Sequence, residues 1–353
     1  MVELNSLPKG TGRFPAETMF NFAAAVFRAK GHSDEDARLS ADVLISADLW
    51  GIRSHGIARL PKFVDLFDSG AIKKDSDMTF QAGSDTTGVL DADNGSGIIA
   101  ANRAMAEVLS MTERHGTGFV AVCNSNHFAF PGYWAQRAAH SGFLGICLST
   151  GGYCVTPTFA MEPILGTNPM SIAIPGGAGE QGFYMDMATS VVARGKIETA
   201  LREGRSIPKG WVPESYGELR LDDNGILTFD VPLLPLGGEG TETGGHKGYA
   251  LSLMVELLCS ILGGRINHTT GHFMGAINIA GFREPALVHA QMQEIFEVVR
   301  NAKKVPGHDR VYIPGELEHR MDKENRRLGI PITRPVMEKI RRLNRELDLG
   351  FKF

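Results

Sequence analysis

The chain has 353 residues, long enough for a sizeable core and, at roughly 150 residues per domain, for two domains. Lys plus Arg number 36 against 40 Asp plus Glu, a net charge of −4 mixed along the chain, so no basic stripe marks a nucleic-acid or membrane-surface partner. The opening Met1-Val2-Glu3-Leu4-Asn5-Ser6 lacks a signal-peptide pattern, and Cys123, Cys147, Cys154 and Cys259 show no Cys-x-x-Cys spacing for a disulfide framework or zinc knuckle; a soluble cytoplasmic protein is expected.

Residues up to about 70 read as helical. Phe14 to Phe20 opens one helix, Gly31-His32-Ser33-Asp34 breaks it, and Ser33 caps the next. Ala37 to Trp50 repeats apolar residues at helical spacing until Gly51 stops it. The stretch Gly51-Ile52-Arg53-Ser54-His55-Gly56-Ile57-Ala58-Arg59 then gathers a hydroxyl, an imidazole and two guanidinium groups. If Gly56 opens a helix through Leu60 and Phe67, His55 and Arg59 project on one face of its first turn. An imidazole moves a proton near neutral pH and an arginine grips a carboxylate at two points, which suits an enzyme of hydroxy or keto acids. The bland alternative is a capping histidine and a solvent-facing arginine.

A polar stretch and Asp91 to Gly97 lead into a helix, Ile98 to His115, which Gly116 and Gly118 stop. Strand Phe119 to Cys123, polar turn Asn124-Ser125-Asn126-His127, a helix near Gly132 to Ala139 and strand Phe143 to Leu148 form a βαβ-like unit. His127 therefore sits at a strand's carboxyl end, where α/β proteins place ligands. The turn Ile164 to Pro169 is rich in small polar groups, and strands Ser171 to Pro175 and Gly182 to Asp186 follow. Gly177 to Gly182 matches the dinucleotide pattern G-x-G-x-x-G, but it leads into a strand and reads as a hairpin. After Asp186-Met187-Ala188-Thr189-Ser190, the hydroxyls of Thr189 and Ser190 suit the start of a helix from Ala193, where backbone N–H groups would receive a pyrophosphate.

Residues 206–230 read as a surface excursion. Gly237 to Tyr249 resembles a P-loop only superficially, because His246 fills the lysine slot and Lys247 the Ser/Thr slot. What remains is a glycine-rich loop delivering Lys247 to the helix Ala250 to Leu262, as a contact for phosphate or ribose oxygens. That helix is the longest apolar run, yet it is too short to span a membrane and carries Glu256. Gly271 to Ala280 reads as a buried strand, which spoils His268 and His272 as a helical metal pair; no metal is expected. Ala286 to Lys304 is an amphipathic helix and the charged tail is helical.

In their order, Arg53-Ser54-His55-Gly56 with Arg59, Asn124 to His127, Gly166-Thr167-Asn168-Pro169, Asp186 to Ser190 and Gly245 to Tyr249 resemble the landmarks of the type 2 malate/L-lactate dehydrogenase family. The resemblance runs from about residue 15 to Ile313-Pro314-Gly315-Glu316. It implies an α/β fold whose NAD(P)-binding domain, residues 121–299, is not a Rossmann fold but a mixed, largely antiparallel sheet. Residues 1–120 and 300–353 would form the other, helical or α+β domain, and homodimers are usual. It implies His55 or His127 as the proton-transferring imidazole. Ser54, Arg53, Arg59, Thr167 and Asn168 would line the substrate; Thr150, Asp186, Met187, Ala188, Thr189, His246 and Lys247 would meet NAD or NADP. Two departures stand out. Ala129-Phe130 replaces a glycine and a small residue and adds bulk beside the site, and Gly151 to Val155 lacks a proline common in relatives.

The expected reaction is hydride transfer between nicotinamide and C2 of a small 2-hydroxy acid or its keto acid. His55 is the first choice as base, with Asp186 orienting an imidazole or meeting the cofactor. Malate/oxaloacetate leads, with lactate and sulfolactate close, because Arg53 offers a second carboxylate contact. Alternatives are an imine reductase acting on a cyclic imino acid and a dehydrogenase of ureidoglycolate or diketogulonate. A metal-dependent hydrolase and a non-catalytic nucleotide-binding protein are the rivals from other classes.

Overall fold

The computed structural model describes residues 10–193, 196, 197, 200, 201, 206–214, 232–264 and 270–353. A seven-stranded sheet lies at its centre, in the order β2-β3-β4-β8-β5-β6-β7. These strands are β2 (Thr79–Ala82), β3 (Thr87–Asp91), β4 (Thr117–Ser125), β5 (Leu144–Ser149), β6 (Met170–Ile174), β7 (Phe183–Met187) and β8 (Thr270–Ile277). Only β3 and β4 pair in parallel; every other neighbour in the sheet is antiparallel. The sheet is therefore mixed and mostly antiparallel, as expected.

Alternation along the strands gives the sheet two apolar faces. Val120, Val122, Cys147, Ala173, Met274 and Ala276 pack with α4 (Gly97–His115) and α5 (Pro131–His140) in the main core. Leu148, with Ile146, Met170 and Phe273, meets Val255 and Cys259 of α6 (Gly245–Ile261) on the other face. Further along the chain, α7 (Pro285–Asn301) puts Met292 and Phe296 against Ile174 and Phe183.

The two ends of the chain meet. Strand β1 (Thr11–Phe14) pairs antiparallel with β9 (Ile330–Thr333), so the opening is not all-helical. Beside this ribbon lie α1 (Ala16–Ala29), α2 (Asp34–Leu49), α3 (Leu60–Asp68), α8 (Glu316–Leu328) and α9 (Arg334–Glu346). Ser33 caps α2 by accepting the Asp36 N–H, as its sequence position predicts. Asn325 of α8 donates to the carbonyls of Asp48 and Leu49, closing the end of α2 just before the motif that follows.

Other expectations shift. Strands β4 and β5 do not pair, because β8 runs between them, so the βαβ-like unit is split. A boundary at residue 120 would cut through β4 and separate β2 and β3 from their own sheet. The Gly177 to Gly182 segment joins the antiparallel pair β6–β7, in keeping with a hairpin. Part of the helix expected from Ala193, and most of the surface excursion before Asp230, lie outside the described residues. No helix among the described residues is long and apolar enough to cross a membrane.

Candidate active site

The first half of the site hangs from the end of α2. Asp48 is buried there, and its Oδ2 accepts the Ile57 N–H at 2.7 Å, which starts a short 3-10 turn, Ile57–Arg59. Glycine is required at position 56, since a Cβ would lie 2.0 Å from Asp48 Oδ1. The turn so fixed leaves His55 just before the helix rather than on its first turn. His55 and Arg59 still meet, by another route: Arg59 Nε donates to the Ser54 carbonyl at 2.6 Å, and Ser54 Oγ lies 2.8 Å from His55 Nδ1. Burial pushes Asp48 up to about 7, against the pull of Ile57 and Arg53. Burial lowers Arg53, with the Asp48 charge opposing and the Arg13 charge adding to that shift.

The second half is the turn after β4. Asn124 donates to both Asp91 carboxylate oxygens and Asn126 donates to the carbonyls of Asn94 and Gly95, pinning the turn at two points. His127 emerges from it with its ring stacked on His55, centroids 5.6 Å apart and planes 11° apart. Phe63 of α3 abuts the same ring edge-on at 6.0 Å. Solvent reaches His127, although many protein atoms lie around its ring. Its Nδ1 accepts the Ala129 N–H at 3.2 Å, which leaves the neutral ring's proton on Nε2. Ala129 pays for that contact with a left-handed φ of 73°, a strain of about 1 kcal/mol that a glycine would escape. The bulk expected from Phe130 is absent from the site, because its ring is buried against Trp50.

Burial and then Arg59 hold His55 down to about 4. His127 lies well below the ordinary histidine value, through burial first and then the charges of His55, Arg59, Lys62 and His272. Both rings are therefore neutral near pH 7, beside two permanent cations. Lys62 was not expected; it stands three residues after Arg59 as the 3-10 turn runs into α3, a helical spacing that could have exposed it.

The remaining candidates line one edge of the sheet: His127 follows β4, Thr150 follows β5, Thr167 precedes β6 and Ala188 follows β7. Several are tied down. Thr150 Oγ1 accepts the Gly271 N–H at 2.9 Å, and buried Asn168 spends its amide on Gly151, Ser252 and Glu256. The Thr189 hydroxyl donates to the carbonyls of Thr167 and Asn168 instead of capping a helix. Thr167, Met187 and Ala188 stay half-buried along this edge, whereas His246 and Lys247 are exposed on the first turn of α6. A cation beside the N-terminus of a 17-residue helix suits a pyrophosphate, so the donor set fits a dinucleotide.

Asp186 meets neither imidazole. Its Oδ2 accepts the Gly132 N–H at 3.0 Å and the Tyr184 hydroxyl at 3.3 Å, joining β7 to the start of α5. Burial, with the Glu318 charge, raises it to about 7. A carboxyl raised in the folded state contributes stability that is full below its unfolded value near 3.8 and is lost as pH rises through about 7. Asp186→Asn keeps one oxygen for both donors and removes the titration. Urea unfolding is expected to shift in the variant's favour by about 4 kcal/mol between acid and alkaline pH. Parallel pH profiles for the two proteins would contradict this.

Among the described residues no three His, Cys, Asp or Glu are placed to hold a metal ion. His268 lies outside the described residues, and His272 is buried between two serines.

The site thus combines two neutral imidazoles with two nearby cations, and the comparisons give it a class. The model of the malate/L-lactate dehydrogenase family matches residues 14–341. The chain is 37% identical to a malate dehydrogenase of Pyrococcus abyssi, covering 99% of each. It is 33% identical to an L-sulfolactate dehydrogenase of Methanothermobacter thermautotrophicus, covering 96% of this chain and 98% of that one. The solved structure of malate dehydrogenase from Pyrococcus horikoshii OT3 superposes with a TM-score of 0.86 at 32% identity, over 100% of this chain and 99% of that one. The protein is an oxidoreductase of the hydroxyacid dehydrogenase class. It belongs to the malate/L-lactate dehydrogenase family.

Proposed function

We propose that this enzyme interconverts a small 2-hydroxy acid and its 2-keto acid with NAD, or alternatively NADP, and that malate/oxaloacetate is its pair. The observation that carries this is the neutral His55–His127 stack beside Arg59 and Lys62. Arg59 would hold the carboxylate next to C2, and its anchor on Ser54 keeps it beside His55. His55 would exchange the hydroxyl proton through Nε2, with Nδ1 held by Ser54. His127, whose proton sits on Nε2, would donate to the same substrate oxygen. Bound NAD or NADP would supply the hydride acceptor or donor for C2. Lys62, whose charge reaches His127, would be the second carboxylate contact in place of the half-buried Arg53, on which the Asp48 charge acts.

The seven-stranded sheet as a whole, β2 and β3 included, would form the cofactor domain, with Met187, Ala188, His246 and Lys247 as contacts and Thr150, Asp186 and Thr189 shaping the strand ends behind them. A homodimer is part of this reading, supported by the exposed apolar side chains Met254, Leu257 and Ile261 on α6.

The test is loss of reduced-nicotinamide absorbance with NADH or NADPH and oxaloacetate, pyruvate, sulfopyruvate or a cyclic imino acid. Turnover of oxaloacetate supports the proposal; turnover of the imino acid alone moves the enzyme to imine reduction. Arg59→Lys, which replaces a two-point grip by a point charge, is expected to raise KM for every keto acid by about tenfold or more. Lys62→Ala is expected to raise KM for oxaloacetate but not for pyruvate, and an equal effect on both would remove Lys62 from the dicarboxylate contact.

A further inference from the structure

His272 is fully buried in β8 and has no part in the reaction proposed above. It sits directly opposite Ser149 of β5 and beside the irregular step in β4 between Val122 and Ser125. Its Nδ1 lies 2.8 Å from Ser149 Oγ and its Nε2 3.0 Å from Ser125 Oγ. A neutral imidazole has one N–H and one lone pair, so one serine accepts, the other donates, and both nitrogens are satisfied. The ring also lies flat on Phe128, with centroids 4.1 Å and planes 8° apart.

These contacts fall on both sides of His127, at Ser125 before it and at Phe128 after it, and reach the residue next to Thr150. The gripped segment ends in a conformation the chain does not adopt readily. Ala129 has a left-handed backbone, with φ of 73°, which surrounding contacts must hold, whereas Asn124 at 50° is of a residue type that tolerates it. We infer that His272 is a positioning residue: it clamps the loop on both sides of His127 and locks it to the strand end at Thr150, keeping His127 stacked on His55. This rests on the catalytic reading of that pair.

The test uses His272→Phe, which keeps the stack on Phe128 and removes both hydrogen bonds, and the same change combined with Ser125→Ala and Ser149→Ala, which removes the stranded hydroxyls. His272→Phe is expected to lower kcat on the order of 10²-fold, with KM changed by less than about threefold. The triple variant is expected to recover Tm without recovering kcat. Amide exchange over residues 124–130 is expected to speed up about tenfold or more in both variants, while α1 exchanges as before. Native kcat in His272→Phe, recovery of kcat together with Tm, or unchanged exchange in the loop would each overturn the clamp. If the native enzyme turns over no member of the substrate panel, the catalytic reading fails and the exchange result alone decides the clamp.

Discussion

Replacing His55 by alanine is expected to lower kcat by about 10²–10⁴-fold while leaving reduced-nicotinamide affinity near its native value. The size follows from the role: without a proton acceptor at the hydroxyl, loss of the hydride from C2 would leave an uncompensated charge. The choice of His55 over His127 rests on their partners. The Ala129 N–H occupies Nδ1 of His127, so that ring must hold its proton on Nε2 and can donate but not accept there. His55 faces a serine hydroxyl, which donates or accepts, so its Nε2 can take a proton. His127→Ala is accordingly expected to cost less, about tenfold to a hundredfold, as the loss of one oriented donor. A native rate in His55→Ala together with a dead His127→Ala would exchange the two roles. The pH profile adds a sign. With His55 held down to about 4, it stays neutral throughout the physiological range. Therefore kcat/KM for oxidation should stay level from neutral pH down toward about 5 and fall only below that.

Gly97→Ala is the second change expected to act strongly. Alanine is the better helix former by about 1 kcal/mol, so propensity alone says that α4 should gain. Packing says the reverse. A Cβ at position 97 would lie 2.0 Å from the Asn126 carbonyl oxygen and 2.8 Å from the His127 carbonyl carbon. Both neighbours are backbone, and the Asn126 side chain ties them to Asn94 and Gly95, so they cannot step aside cheaply. The expected outcome is a loss of about 2–3 kcal/mol in urea unfolding, with kcat lowered by about tenfold or more as His127 is displaced. Equal or greater stability with unchanged kcat would show that the loop moves freely.

Much of this was legible in the sequence because the signals are local. Apolar periodicity and glycine stops gave α2, α4 and α5, and the strand after Gly182 exposed the false dinucleotide motif as a hairpin. The pairing of β1 with β9 was not legible, since four residues near the start find their partner at Ile330–Thr333. Nor could local pattern say that β8 would enter between β4 and β5. In the site, His55, Arg59 and His127 announced themselves by residue type. Lys62 did not, because one lysine in a helix looks like any solvated lysine. For Thr150, Asn168 and Thr189 the letters could not show the bonds that tie strand ends together, because hydroxyls and amides read the same whether they face a ligand or a neighbouring backbone. Nor could letters show that Arg53 would lie half-buried within reach of the Asp48 charge.

If the stacked imidazoles and Arg59 hold C2 of a hydroxy acid for hydride exchange with nicotinamide, a label on the cofactor must reach that carbon. The most direct measurement is to supply NADH or NADPH deuterated at the transferable C4 position with oxaloacetate and to weigh the product by mass spectrometry. The expected product is malate one mass unit heavier, with the deuterium on C2. Malate without the label, or oxidation of the cofactor with no labelled acid formed, would contradict it.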